Sequence, residues 1–162
     1  MSRQKGGATQ DDQKPGQSSP APGVILRRRY TKDLSFENPG APASLDAPPG
    51  APAPTVAISV EIGGRRRGDL HEVALSVTAT AKSRNEILFI AEVRYAGLFE
   101  ITGLDAAARE QFIYVEAPRI LFPYAERILA DAARDGGVPE FGITPPDFAA
   151  MYARREKDPV EM

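Results

Sequence analysis

The chain has no cysteine, no tryptophan and a single histidine, His71, among its 162 residues. Without cysteine there is no disulfide framework and no thiolate nucleophile, which fits a reducing compartment. One histidine without thiolates cannot assemble a zinc site, and no run of Asp and Glu has calcium-loop spacing. No metal and no cofactor is therefore expected, and a lone histidine at the start of a strand reads as a surface residue. No apolar run approaches the ~20 residues of a membrane helix. Residues 1–23 have no apolar segment either, so a secretory signal is not expected and a cytoplasmic location is the default. A dominant charge is also missing: 20 Lys and Arg stand against 22 Asp and Glu, a formal charge of −2. Such a balance names no partner on its own.

The chain does have 15 prolines and 14 glycines, and their placement divides it. Residues 1–23 are rich in Gln, Gly, Ser and Pro and read as a disordered N-terminal tail, because they offer too little burial to offset their ordering entropy. Residues 156–162 read as a short C-terminal tail. Between them, residues 24–155 form one domain with a small core. Residues 38–54 (NPGAPASLDAPPGAPAP) have neither helical nor strand periodicity and form a long, partly stiff crossover. Leu45 is its only large apolar side chain.

Four stretches alternate as strands do. In residues 24–37, Leu26, Tyr30, Leu34 and Phe36 fall on one side. Arg27, Arg29, Thr31, Asp33, Ser35 and Glu37 fall on the other. Residues 55–62 place Val56, Ile58, Val60 and Ile62 inward, and a glycine-flanked basic turn through Arg65, Arg66 and Arg67 follows. Residues 70–82 put Val73, Leu75, Val77 and Ala79 on one face. A short turn at 83–86 makes the next strand an antiparallel neighbour. There Phe89, Ala91, Val93 and Tyr95 oppose Leu88, Ile90, Glu92 and Arg94, and Ala96-Gly97 reads as a bulge.

Helical spacing takes over after Asp105, which caps a helix through AAAREQFIYVE. Pro118 suits a first helical position. Leu121, Ala125, Ile128, Leu129 and Ala132 then line one face, and Gly136-Gly137 provide the left-handed exit. An apolar loop with Val138, Phe141 and Ile143 leads to a second short helix opening at Pro146 or Asp147. The fold class is α+β: an antiparallel four-stranded sheet with a long crossover loop, covered on one face by C-terminal helices. Such a sheet has two open edges and apolar residues on both faces, so association into an oligomer is expected.

Three blocks carry a family likeness: YTKDLSFENPGAP (30–42), ILFIAEVRYAGLFEI (87–101) and APRILFPYAERILADAARDGG…PPDFAAMY (117–152). Together they resemble the SecB protein-export chaperones. The resemblance implies a homotetramer, a dimer of dimers, that is not an enzyme. It would hold non-native precursor proteins without ATP and pass them to the SecA motor, meeting the membrane only through SecA. It assigns SecA contact to Asp33, Glu37, Ile90 and Glu92. It places the client groove between the crossover and the loop joining the helices, where Leu45, Val138, Phe141 and Ile143 stand. Relatives commonly carry a larger aromatic at the position of Val138 and a bulky apolar residue at that of Gly142.

The same residues admit other readings. The triplets Arg27-Arg28-Arg29 and Arg65-Arg66-Arg67 raise a nucleic-acid-binding module, against which stand the near-neutral charge and the absence of a stacking-aromatic motif. No nucleic acid is therefore expected. A pair of carboxylates would support acid–base catalysis only in a pocket that shifts their pKa values. A SecB-like chaperone dedicated to a toxin–antitoxin partner is a further alternative within the family.

Overall fold

The computed structural model describes residues 21–157, so both tails expected from composition fall largely outside the described residues. Four strands come first: β1 (Gly23–Glu37), β2 (Thr55–Arg67), β3 (Leu70–Ser83) and β4 (Glu86–Thr102). They form one antiparallel sheet in the order β1-β4-β3-β2. Tight turns dictate that order. Gly68-Asp69 closes β2 onto β3. Arg84 and Asn85, both at positive φ (51° and 67°), close β3 onto β4, which matches the right-handed twist of the strands. β1 must then reach the free edge of β4, and the proline-rich crossover spans that distance. A single 3-10 turn at Ala43–Asp46 breaks it.

β1 departs from the simple alternation. Its register against β4 slips by one residue between Leu26 and Arg28 and again between Thr31 and Asp33. The two bulges add to a shift of two residues, which restores the alternation, so Leu26, Leu34 and Phe36 do share the helix-side face. Between the slips the faces are exchanged: Tyr30 points to the outer face, and Arg29 points to the helices, where its guanidinium lies 3.8 Å from the ring centroid of Tyr124. The reason is on the outer face, where Tyr30 and Lys32 both bind the Glu72 carboxylate.

Two turn readings also change. β2 does not stop at Ile62 but runs to Arg67, so Gly63-Gly64 lie within the strand and the turn is only Gly68-Asp69. No bulge occurs at Ala96-Gly97, which pair in step with Ala74 and Val73. Gly97 is needed for space: a Cβ there would stand 2.9 Å from the Phe99 ring and 3.1 Å from both Leu121 and Leu26.

Asp105 caps α1 (Ala106–Gln111) by accepting from the Ala108 N–H at 2.8 Å. The chain then continues through a π turn (Phe112–Glu116) into α2 (Ala117–Asp135). Pro118 thus lies at the join of a continuous helical segment, not at a fresh start. It has no N–H to give, and the N–H of Ala117 reaches back five residues to Phe112, so the wider turn absorbs the proline. α2 buries Leu121, Phe122, Ala125, Leu129 and Ala133 against the sheet. There they meet Val73, Leu75, Val77, Val93 and Phe99, all fully buried. α3 (Phe148–Lys157) is capped by Asp147, which accepts from the Ala150 N–H. Its Phe148 enters the core edge-on to Phe122.

Candidate docking face and apolar groove

The outer face of the sheet carries Asp33, Glu37, Ile90 and Glu92 together. Glu37 pairs with Ile90, Ser35 with Glu92, and Asp33 with Arg94 on two adjacent strands. Period-two pleating turns all four side chains to the side away from the helices. Asp33 and Glu37 are exposed; Ile90 and Glu92 are half-buried. Glu92 accepts from the Thr78 hydroxyl at 3.2 Å, which fixes its orientation. Beside it runs a shallow depression of about 630 Å³, lined by Asp33, Glu61, Ser76, Thr78, Glu92 and Arg94 among others.

Glu72 organises the neighbouring part of this face. It is the one buried charged residue among the described residues. It accepts from Tyr30, from Lys32 at 2.8 Å, and faces Arg67 at 4.0 Å. The bonds from Lys32 and Tyr30 hold its carboxyl below the usual range, against the opposing effect of burial. Burial, reinforced by the hydrogen bond and charge of Glu72, pushes the Tyr30 phenol up to about 12. The clamp crosses β4 over the small side chain of Ala96, which is paired with both Tyr30 and Ala74. It pins the second bulge and so sets the face on which Asp33 emerges.

The residues expected to form the client groove lie around the C-terminus of α2. Val138 donates to the carbonyl of Ala133 and Gly137 to that of Arg134, a left-handed helix exit with Gly137 at φ 91°. The crossover closes over this exit. Asn38 donates to the Gly136 carbonyl at 2.8 Å. Gly136 lies against the Phe36 ring and Gly137 against Leu45. Phe36 stacks on Phe89 with centroids 5.5 Å apart, and Phe141 meets Phe89 edge-on at 5.6 Å. Leu45 is 47% exposed, whereas Val138 and Phe141 are half-buried against the core. Ile143 is different. At 8% exposure it belongs to the core, because the loop turns inward there before α3; it does not line an accessible groove. The half-buried Phe36 stands nearer that position, stacked on the buried Phe89.

The model of the family described as preprotein translocase subunit SecB matches residues 17–158. The chain belongs to the SecB family. The protein-export protein SecB of Maricaulis maris is 45% identical over 133 residues, covering 82% of this chain and 76% of that one. The SecB of Xanthobacter autotrophicus is 39% identical over 155 residues, covering 96% and 94%. Among solved structures, the Mycobacterium tuberculosis Rv1957 SecB-like chaperone, in complex with a ChAD peptide from the Rv1956 HigA1 antitoxin, is similar. Its TM-score is 0.62 at 14% identity, over 76% of this chain and 90% of that one, so the likeness is one of fold.

Within the SecB fold the arginine triplets do not form one patch. Arg27 pairs with Glu100, Arg29 lies on Tyr124, Arg66 donates to the Gly68 carbonyl, and Arg67 faces Glu72. No group of three or more His, Asp or Glu side chains among the described residues could hold a metal ion. Sequence reasoning missed Phe36 as a candidate groove residue, since alternation marks it only as inward-facing. It also missed Glu72, whose sole signal was a carboxylate inside an otherwise apolar strand.

Proposed function

We propose that the protein is an export chaperone that holds unfolded precursor chains in the groove and hands them to SecA through its outer sheet face. Family membership supports the export role. The observation that carries the handover is the in-register set Asp33, Glu37, Ile90 and Glu92, a fixed acidic and apolar surface on the side of the sheet away from the groove. Clients need no regular shape, only exposed apolar side chains, and the groove's Leu45, Val138 and Phe141 suit these. Burying one such side chain contributes about 1.5–3 kcal/mol. Useful affinity therefore needs several grooves engaged by one client, as multivalent binding allows.

A homotetramer supplies those several grooves. Both β1 and β2 are open edges. Val56, Ile58 and Leu34 are 41%, 38% and 47% exposed on the helix-side face, beyond the cover of α2. Association that covers them stabilises the assembly and protects the edges. The working location is cytoplasmic, with the membrane met only through SecA; no described helix is long and apolar enough to cross one.

Light scattering tests both parts. The protein should have the mass of four chains and should suppress aggregation of an unfolded precursor without ATP. It should also bind an isolated SecA C-terminal segment. A monomer at micromolar concentration, or no effect on aggregation, would overturn the reading.

A further inference from the structure

At the end of the sheet remote from the groove, the structure holds a second cavity, of about 400 Å³, that includes none of the residues assigned above to SecA or clients. Arg66 of β2, His71 of β3, Arg109 of α1, Asp69 in the turn and Glu100 on β4 all line it. Two side-chain atoms here, His71 Nδ1 and Arg109 Nε, are buried and have no hydrogen-bond partner. They are the only such pair among the described residues. An arginine Nε–H is always a donor, and leaving it buried and unpaired is unfavourable because it forfeits its hydrogen bond to water. The two carboxylates do not relieve it. Glu100 is engaged by Arg27, through both Nε and a terminal nitrogen, and no bond joins Asp69 to Arg109. The other Arg109 contact is a 3.3 Å bond from a terminal nitrogen to the Leu104 carbonyl.

From this geometry we infer that the cavity between β2, β3 and α1 is an oxyanion-binding site, with Arg109 and His71 as donors and Arg66 adding positive charge. Two guanidiniums and a protonatable imidazole provide charge-assisted hydrogen bonds that a water molecule cannot return in kind. Binding is coupled to His71. Without an anion, burial followed by the charges of Arg109 and Arg66 holds its pKa below 6.5. An anion counteracts both arginines, so it raises that pKa; Asp69 and Glu100 are present in either state and contribute equally. By linkage the anion binds more tightly as the pH falls.

The chain's single histidine makes the test direct. The imidazole C2–H resonance of the full-length protein is titrated against pH in inorganic phosphate and in chloride of equal ionic strength. Phosphate should raise the pKa of His71 by about one unit relative to chloride. Arg109→Gln and, separately, Arg66→Gln should each remove most of that rise while light scattering reports an unchanged assembly. An arm with acetate distinguishes a site for carboxylates of a neighbouring chain from one for free phosphate. Equal titration curves in all three salts would overturn the proposal and leave water as the occupant. So would a full phosphate response in whichever variant remains folded.

Discussion

Asp33, Glu37, Ile90 and Glu92 stand on two hydrogen-bonded strands, whereas Leu45, Val138 and Phe141 come from two separate loops laid over Phe36 and Phe89. The first surface inherits its geometry from a backbone ladder, so its charges are fixed before any partner arrives. The second depends on a helix exit, an asparagine bond and ring packing, so its shape is set by side chains that one substitution can move. The proposed roles suit that division: the constant surface for the motor and the adaptable one for clients.

The largest effect expected on this comparison comes from the clamp behind the fixed surface. Glu72→Gln removes the charge shared by Lys32 and Tyr30. Breaking a fully buried pair costs about 3–5 kcal/mol, and Lys32 is 26% exposed, so a loss of about 2 kcal/mol is expected in urea unfolding. The pH dependence has a definite sign. The carboxyl of Glu72 titrates lower in the folded protein than its ordinary 4.5. Its contribution is therefore complete above that value and lost as the pH falls through the folded one. The acid limb of the stability profile should flatten in Glu72→Gln.

Gly137→Ala tests the adaptable surface. Its φ of 91° is strained for alanine, at about 1–2 kcal/mol, and the added Cβ would lie 2.9 Å from Leu45. Thermal unfolding should register the strain, and client affinity should change while SecA affinity does not. Leu45→Asp acts on the groove with little strain, because Leu45 is already half exposed. Losing part of a buried leucine, about 1.4 kcal/mol, should raise the client dissociation constant about tenfold by fluorescence anisotropy. The smallest effect is Glu92→Lys on the docking face. It should weaken SecA binding only several-fold at low salt and less at high salt, since the half-buried Glu92 still borders solvent and its longer-range interactions are screened over about 10 Å at 0.1 M.

The two surfaces also differ in how far their residues reveal them. Alternation alone places Asp33 with Glu37, and Ile90 with Glu92, on solvent-side faces, because strand period is a local property. It fails at Tyr30 and Arg29. Between and at the slips after Leu26 and Thr31, Tyr30 and Lys32 are held by Glu72, forty or more positions away in the chain, and no local pattern records such a partner. Together the slips amount to two residues, one full pleat, which is why the ends of β1 read correctly and its middle does not. The groove is legible only in part. Gly136-Gly137 and the apolar loop announce a helix exit, but what fills the space beside the glycines is tertiary. Phe36 and Leu45 occupy it, and Ile143, equally apolar and equally loop-borne, turns into the core.

The central claim is that motor and client bind separate surfaces of one assembly. Calorimetric titration of two variants, Asp33→Lys/Glu37→Lys and Leu45→Asp, against a SecA C-terminal segment and an unfolded precursor tests it most directly. The account predicts that the first variant loses SecA affinity and keeps the client, and that the second does the reverse, both as intact tetramers. Equal loss of both ligands in either intact variant would contradict it.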